Sequence, residues 1–220
     1  MTYSVKEIFY TLQGEGTHAG RPAVFCRFAG CNLWTGREAD RDKAVCRFCD
    51  TDFVGTDGLG GGKFDTAQTL AERIASFWPD TLDGAKGTRF VVMTGGEPLL
   101  QVDAALIEAL HARGFELAVE TNGTIAAPAG LDWICVSPKA GSALVQQSGH
   151  ELKVVVPQAG FGVDDLLAFE RLDFKQLRVQ AMDSAQPGAR NKAMAWAVQW
   201  CLDHPRWLLS VQTHKTLGIR

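Results

Sequence analysis

The sequence predicts an α/β protein built on a parallel sheet with crossover helices. Short β-rich runs alternate with amphipathic helical stretches, which is the pattern of strands joined by helices. With 220 residues, of which 46% are apolar, the chain can bury one full core, but it is short for a complete eight-stranded α/β barrel of about 250 residues. We therefore expect a single domain over residues 1–220.

The N-terminal third should contain two strands, a long loop and a helix. Strands are expected at residues 5–9 and 22–29, with a Gly-rich turn and no helix between them. Residues 30–64 are polar and rich in Gly and Cys, which indicates a long functional loop with little regular structure. Asp65, with Gln68 three residues later, is the expected N-cap of the first outer helix. The apolar face of this helix comprises Leu70, Ile74, Phe77 and Trp78.

The remaining chain continues the alternation. A buried strand at residues 90–93 precedes a helix at about residues 103–113, which Gly114 ends. Later strands are expected at residues 115–119, 133–136, 152–156, 176–179 and 207–211. Between the last two strands, an apolar stripe at helical spacing predicts a core-packed helix. Its members are Ala193, Trp196, Ala197, Trp200 and Cys201.

Polar motifs begin where the later strands end. They are TGGEP from Thr94, ETNG from Glu120, SPK from Ser137, QAMD from Gln180 and QTHK from Gln212. Active sites of parallel α/β barrels lie at the carboxyl ends of the strands. Five such motifs at five strand ends therefore predict one shared site.

Charge and hydropathy exclude several classes of function. The net charge of -3 gives no general attraction to phosphate backbones, and no local basic patch is evident, so direct nucleic-acid binding is not expected. No uncharged apolar run approaches the roughly 18 residues of a membrane span, which favours a cytoplasmic location. Six cysteines in an intracellular chain then indicate metal binding or catalysis rather than disulfides.

Three of the cysteines form a candidate metal site. Cys31, Cys46 and Cys49 have the spacing C-x14-C-x2-C, and Cys26 could complete a four-cysteine zinc site. Strand alternation, however, places Cys26 among apolar neighbours, where it would be a small buried hydrophobe. Three thiolates leave one metal position open, as catalytic sites require, but a histidine could also complete a zinc site. Spacing alone therefore leaves an iron–sulfur cluster and zinc about equally supported.

The two other cysteines are expected in the core. Cys135 lies within an apolar strand, and Cys201 belongs to the apolar helical stripe. Neither position indicates a reactive thiol.

These motifs together resemble a known superfamily. A cysteine triad followed by a strand and then Gly95-Gly96-Glu97-Pro98 resembles the radical S-adenosylmethionine (SAM) superfamily, although the usual cysteine spacing there is C-x3-C-x2-C. The enlarged loop, LQGEG near the N-terminus, R-F-x-G-C-N-L before the first cysteine and C-D-T after the last are similar to 7-carboxy-7-deazaguanine synthases. The similarity continues through ETNG, SPK and QTHK and covers nearly the whole chain.

The resemblance implies a fold and an activity. The fold would be a modified, partial (βα) barrel of the radical SAM type, with residues 30–64 as the cluster-binding loop. Cys31, Cys46 and Cys49 would hold a 4Fe–4S cluster that reductively cleaves SAM to a 5′-deoxyadenosyl radical. The substrate would be 6-carboxy-5,6,7,8-tetrahydropterin, converted with loss of ammonia to 7-carboxy-7-deazaguanine for queuosine and related tRNA nucleosides.

The resemblance also implies roles for individual residues, and Mg²⁺ would bind at Thr51. SAM would be bound by Phe48, Gly96, Glu120, Ser137, Pro138, Lys139, Gln180 and Asp183. The substrate would be bound by Leu12, Gln13, Gly14, Glu15, Arg27, Thr94, His214 and Arg220. The family pattern Q-P-x-D departs here to Gln180-Ala-Met-Asp, which puts the role of Gln180 in question.

Two of these roles have plain structural alternatives. Arg27 could grip a carboxylate with two parallel hydrogen bonds, or it could need an acidic structural partner within its apolar strand. Thr51 could bind Mg²⁺, which often keeps few protein ligands, or be an ordinary loop residue.

The resemblance further implies a homodimer and a reductant protein such as flavodoxin or ferredoxin. Two rival functions remain. One is an activase that installs a glycyl radical on a partner protein, against which the short chain and Arg27 favour a small acid as substrate. The other is a zinc-stabilised binding module, which would contain zinc instead of iron and sulfide.

Overall fold

One mixed sheet organises the chain. A computed structural model describes residues 2–79 and 88–219. The strands are Tyr3–Leu12 (β1), Pro22–Phe28 (β2), Gly62–Phe64 (β3), Arg89–Gly95 (β4), Phe115–Thr121 (β5), Trp133–Val136 (β6), Ser148–Val156 (β7), Asp173–Ala181 (β8) and Trp207–Ser210 (β9). Among the described residues these nine strands pair in the order β3-β1-β2-β4-β5-β6-β7-β8-β9. The expected α/β partial barrel is confirmed.

Strand direction brings the polar motifs to one edge of the sheet. β1 pairs antiparallel with β2 and β3, whereas the run from β2 through β4 to β9 is parallel. The carboxyl ends of the parallel strands therefore lie at one edge, where the motifs that follow them meet. The Gly-rich turn between β1 and β2 contains no helix, as expected.

Five α-helices are described, and one cap differs from expectation. The helices are Ala67–Ala75 (α1), Ala104–His111 (α2), Val163–Phe169 (α3), Pro187–Asp203 (α4) and Thr213–Leu217 (α5). The N-cap of α1 is Thr66, whose hydroxyl accepts from the Thr69 N–H at 3.1 Å, so the prediction of Asp65 and Gln68 was wrong by one residue. A threonine hydroxyl caps a helix almost as well as a carboxylate, and the adjacent Asp65 gave a competing signal.

The apolar face of α1 extends beyond the helix itself. α1 ends at Ala75, so Phe77 and Trp78 pack against the core from the turn that follows. The start of α2 is as expected, because Asp103 Oδ1 accepts from the Leu106 N–H at 3.0 Å. Gly114, with φ of 74°, ends the segment.

The stripe on α4 is only partly core. Ala193, Ala197 and Trp200 are buried against β7 to β9, as expected. Trp196 is 42% exposed and stacks on Trp200 at 5.3 Å between ring centroids, so its prediction as a core residue was wrong. It lies at the margin of the apolar stripe, where the aromatic ring covers Trp200 instead of entering the core. Cys201 is half-buried.

The loop at residues 30–64 has more structure than expected. It contains a short 3-10 helix at Glu38–Lys43, and its end forms β3, which pairs with β1. Trp34, Ala44 and Phe53 form a small apolar cluster within it. No helix in the described ranges is long and apolar enough to cross a membrane.

Candidate active site

A cavity of about 500 Å³ lies at the carboxyl edge of the sheet. It brings together nearly all the residues that the sequence proposed for the site. Those that line it are Leu12, Gln13, Gly14, Glu15, Arg27, Cys31, Cys46, Phe48, Cys49, Thr51, Thr94, Gly96, Glu120, Ser137, Lys139, Gln180, Asp183 and His214. Pro138 does not line the cavity, and Arg220 lies outside the described residues.

Three cysteine thiols occupy one corner of the cavity. The Cys46 and Cys49 thiols hydrogen-bond to each other, and the Leu33 N–H donates to Cys31 Sγ at 3.4 Å. The hydrogen bond from Cys46 holds the pKa of the Cys49 thiol below its usual range, although burial opposes this shift. Cys26 is fully buried in the core, as strand alternation predicted, and burial raises the pKa of its thiol.

The thiol arrangement fits an iron–sulfur cluster better than a single metal ion. Within residues 2–79 and 88–219, no three His, Cys, Asp or Glu side chains come close enough together to hold one ion. A polynuclear cluster binds each cysteine to a different iron, so its ligands need not converge on one point. Three cysteines around a cavity therefore suit a cluster with one iron left open, and a closed zinc site is not formed there.

Arg41 fixes the turn that carries the last two cysteines. Its Nη1 donates to the carbonyl oxygens of Arg47 at 2.8 Å and Cys49 at 3.1 Å. The guanidinium lies 4.2 Å from the centroid of the Trp34 ring, and Trp34 packs edge-on against Phe53. The long segment between Cys31 and Cys46 thus contains both the Trp34 ring and the Arg41 guanidinium group that hold this turn in place.

The GGEP turn is joined to the ETNG segment by a buried carboxylate. Glu97 is fully buried, and its oxygens accept from the Leu99 N–H at 3.0 Å, the Thr121 hydroxyl at 2.8 Å and the Asn122 N–H at 2.8 Å. Burial raises the pKa of this carboxyl, while the three hydrogen bonds oppose the rise. Glu97 therefore joins the end of β4 to the ETNG segment after β5.

Gly96 has no room for a side chain. A Cβ atom there would clash with the Gly30 carbonyl and lie 2.7 Å from Cys31 Cβ. The Glu97 N–H also donates to the Gly30 carbonyl at 2.9 Å. The backbone after β4 thus lies directly against the residue that precedes the first cysteine.

A buried charge network forms the opposite wall. Lys153 Nζ lies 2.6 Å from Glu15 Oε2 and 3.4 Å from Glu120 Oε2, with its side chain only 4% exposed. Gln13 Nε2 donates to Glu120 Oε1 at 2.7 Å, and Gln212 Nε2 donates to Glu15 Oε1 at 2.8 Å. Burial alone would raise the pKa of Glu15, but Lys153 and Gln212 hold it well below its ordinary value.

Neither Lys153 nor Gln212 was predicted as a site residue. A signal for Lys153 exists, because it is the one charged residue in the run Leu152 to Val156 and shares a strand face with Val155, which also lines the cavity. Gln212 belongs to the QTHK motif, but no local pattern shows that its amide would reach Glu15.

Arg27 faces the cavity and also has an acidic partner. Its Nε donates to Glu7 Oε1 at 2.9 Å, and the two residues are direct register partners in the β1/β2 pair. Among the described residues this is the one side-chain hydrogen bond of Arg27, so the terminal pair Nη1 and Nη2 is not engaged there. The structural role and the binding role considered for Arg27 are thus compatible.

The remaining residues take defined positions. Lys139 Nζ donates to Ser137 Oγ at 2.7 Å and lies 5.8 Å from the centroid of the Phe48 ring. Gln180 is buried and accepts from the Ser210 hydroxyl at 2.7 Å. Asp183 pairs with Lys215 at 2.9 Å and Arg190 at 2.9 Å, and the Lys215 hydrogen bond lowers the pKa of its carboxyl.

Comparison with known proteins agrees with this geometry. The family model of the radical SAM superfamily matches residues 41–152, a range that includes Cys46, Cys49 and the GGEP turn. A 7-carboxy-7-deazaguanine synthase of Bradyrhizobium diazoefficiens is 64% identical over 220 residues, covering 100% of both chains. One of Caulobacter vibrioides is 61% identical over 219 residues, also covering 100% of both.

A solved structure extends the similarity. QueE from Escherichia coli aligns with a TM-score of 0.69 at 26% identity, covering 97% of this chain and 95% of that chain. The chain belongs to the 7-carboxy-7-deazaguanine synthase family of radical SAM enzymes. Its cofactors are accordingly a 4Fe–4S cluster and SAM, as the resemblance implied.

Proposed function

We propose that this protein converts 6-carboxy-5,6,7,8-tetrahydropterin to 7-carboxy-7-deazaguanine with loss of ammonia, for the synthesis of queuosine and related tRNA nucleosides. The supporting observation is that one cavity joins a cysteine corner to a wall of carboxylates, amides and an arginine. The first half suits the cofactors, and the second suits a small acid that also presents N–H donors. The identity to enzymes named for this product points the same way.

In this proposal the cysteine corner and the strand ends hold the cofactors. Cys31, Cys46 and Cys49 would hold the cluster, which when bound and reduced would supply the electron for cleavage of SAM. Phe48, Gly96, Ser137, Lys139, Gln180 and Asp183 bind SAM. Gly96 provides backbone groups that no side chain obstructs, and the Ser137 and Lys139 pair supplies a fixed charge beside Phe48.

The opposite wall holds the substrate. Arg27 grips the substrate carboxylate through Nη1 and Nη2 while Glu7 fixes the guanidinium through Nε. Gln13 and Glu15 accept the N–H donors of the pterin ring, and Leu12, Gly14, Thr94 and His214 complete the pocket. We assign Glu120, which the resemblance gave to SAM, to this wall as well, because it accepts a hydrogen bond from Gln13 and contacts Lys153.

Mg²⁺ completes the proposed site at Thr51. This residue lines the cavity two positions after the cluster ligand Cys49, and its N–H donates to the Cys49 thiol. Mg²⁺ commonly keeps one or two protein ligands together with water and substrate oxygens. A single hydroxyl beside a substrate carboxylate is therefore a sufficient protein contribution.

The proposed partners follow from the family. They are a flavodoxin or ferredoxin as reductant and a second copy of the chain in a homodimer, acting in the cytoplasm and without direct nucleic-acid binding. Size-exclusion chromatography with light scattering tests the dimer, and replacing dithionite by each reduced protein tests the reductant.

Product analysis tests the activity. Anaerobically purified protein should contain about four irons and four sulfides per chain. Incubated with the pterin, SAM, Mg²⁺ and dithionite, it should form 7-carboxy-7-deazaguanine and 5′-deoxyadenosine, both measured by mass spectrometry. SAM cleavage without the deazapurine would contradict the proposal, and a glycyl radical formed on a partner protein would identify an activase instead.

A further inference from the structure

We propose that Lys153 is a specificity-determining positioning residue. Its ammonium group lies between Glu15 and Glu120, and it keeps both carboxylates ionised side by side as acceptors for the N–H edge of the pterin. This inference rests on the proposed function. It assigns a role to a residue that lines the cavity but belongs to none of the motifs that define the site.

In both carboxylates, one oxygen contacts Lys153 and the other accepts a hydrogen bond from a glutamine amide. Lys153 Nζ contacts one oxygen of Glu15 and one oxygen of Glu120, at 2.6 Å and 3.4 Å. The other oxygens accept from Gln212 and Gln13. Each ionised carboxylate has about four lone-pair positions, so both retain the capacity to accept further N–H donors.

Two carboxylates at this site need a positive charge beside them. The Glu15 and Glu120 side chains are partly buried, at 17% and 25% exposed. Neighbouring carboxylates shielded from water repel, and a nearby positive charge favours the ionised form of both. Burial opposes the charge on Lys153, but Glu120 and Glu15 raise its pKa well above the ordinary value. Lys153 therefore stays protonated and acts as a fixed charge, not as a proton donor.

Protonation of either carboxylate would change what the wall recognises. A protonated carboxyl group donates a hydrogen bond, whereas an ionised one only accepts. The pterin 2-amino group needs an acceptor, but the oxygen of a 2-oxo analogue needs a donor. By keeping both carboxylates ionised and therefore purely accepting, Lys153 favours the 2-amino ring over the 2-oxo ring.

No other cation takes the place of Lys153. On β8, its register partner Arg178 donates to Thr17, Gln176 and the Leu209 carbonyl and lies 3.9 Å from Glu151. On β6, Cys135 is fully buried, and burial raises the pKa of its thiol. Lys139 is half-buried and donates to Ser137, and its desolvation lowers its pKa. Among the described residues, only Lys153 contacts both Glu15 and Glu120.

The discrimination ratio between two ligands tests the proposal. Titration gives Kd for 6-carboxytetrahydropterin and for its 2-oxo analogue, using anaerobic protein with cluster and SAM. Lys153→Met should reduce the preference for the 2-amino ligand by about tenfold or more, because a carboxyl that has gained a proton donates to the 2-oxo oxygen. Relative to wild type, its pterin affinity should also fall as the pH is lowered, because one carboxyl then takes up a proton.

Matched variants separate this role from a purely structural one. Lys153→Arg keeps the charge and should keep both the preference and the flat pH profile, even if its fit lowers affinity. Lys175→Met removes an exposed lysine from β8 and should change neither quantity. Lys153→Gln is a second neutral variant, for use if Lys153→Met does not fold.

The outcomes distinguish this inference from the proposed function. If wild type does not bind the pterin at all, the proposed function is wrong and this inference falls with it. If wild type binds the pterin and the neutral variants keep its preference and pH profile, the inference alone is overturned. Equal weakening for both ligands would also overturn it, because that is the result of structural loosening.

Discussion

The imidazole of His214 lies directly against the backbone of Gly14. A Cβ atom on Gly14 would lie 2.6 Å from both Cβ and Cγ of His214, which is closer than non-bonded carbon atoms approach. The neighbouring Thr213 donates from its N–H at 2.8 Å and its hydroxyl at 3.0 Å to the Gly14 carbonyl. Helix α5 is thus docked on the LQGEG segment by a contact that requires glycine.

Gly14→Ala should therefore weaken substrate binding more than it weakens the fold. The added methyl group has no room unless α5 moves, and α5 is a short helix without buried residues. Overpacking typically costs about 1 to 3 kcal/mol, and movement of α5 would relieve it. We expect a Kd for the pterin raised by roughly tenfold, with Tm nearly unchanged.

Gly188→Ala is the matched control for this substitution. Gly188 lies in the first turn of α4, where a Cβ atom would meet no other atom within 4 Å. Its pterin Kd should equal that of wild type. An unaltered Kd in Gly14→Ala, measured in the same titration, would contradict the docking of α5 described above.

On β2, strand alternation predicted which side chains face the cavity. On β7, it could not predict the partner of the side chain that faces the cavity. Cys26 lies in the core and Arg27 faces the cavity, because alternation along a strand is a local property of the backbone. The same rule applied to β7 places Lys153 opposite the core. Its partner Glu15, however, is 138 positions away, so pairing depends on tertiary structure that no local pattern contains.

Other differences have local causes. Thr66 and Asp65 are both good caps, and propensity alone does not choose between neighbours. The stripe on α4 gave the buried face correctly, but Trp196 lies at its margin and remains 42% exposed. Contacts between segments far apart, such as Gln212 with Glu15 over 197 positions, lie beyond what periodicity and motifs can show.

The cysteine assignment predicts separate outcomes for four alanine variants. Cys31→Ala, Cys46→Ala and Cys49→Ala should each abolish binding of the cluster, measured as iron and sulfide content after anaerobic reconstitution. Cys26→Ala should keep the full content, because its side chain is fully buried in the core and does not line the cavity. Loss of iron from a folded Cys26→Ala protein would show that the ligand set is wrong.

The hydrogen bonds from Arg41 to the turn that carries Cys46 and Cys49 predict that wild type loses iron more slowly than a variant without them. Arg41→Met removes the donors to the carbonyls of Arg47 and Cys49, so the turn between the last two ligands should loosen. We expect faster loss of iron to a chelator, followed by absorbance. Arg37→Met removes an exposed arginine from the same loop and should leave the rate unchanged. Equal rates in all three proteins would refute this role of Arg41.

If the Thr51 hydroxyl binds Mg²⁺, turnover should depend both on Mg²⁺ and on that hydroxyl. Chelation of Mg²⁺ should lower turnover, and Thr51→Ala should blunt the response to added Mg²⁺. Thr51→Ser keeps the hydroxyl and should retain most of the response. Because the N–H of Thr51 also serves the Cys49 thiol, iron content is measured in each variant to confirm an intact cluster. Full activity in Mg²⁺-free buffer would exclude this role.

Arg27 should serve the substrate and leave the cofactors unaffected. Glu7 engages Nε, so the planar pair Nη1 and Nη2 can grip a carboxylate with two parallel hydrogen bonds. Arg27→Lys keeps the charge but loses this fork, and Glu7 would compete for the single ammonium. The loss should be about 1.5 to 3 kcal/mol, or roughly 10- to 150-fold in pterin affinity. Slow SAM cleavage without substrate should continue at the wild-type rate, measured as 5′-deoxyadenosine under reducing, anaerobic conditions.

Arg21→Lys is the control, because Arg21 makes a similar two-bond pair with Glu116 outside the cavity, at 3.0 Å and 2.6 Å. It should leave pterin affinity unchanged. If Arg27→Lys instead binds the pterin normally and loses SAM, Arg27 belongs to the cofactor half of the cavity and the division of the site proposed above is wrong.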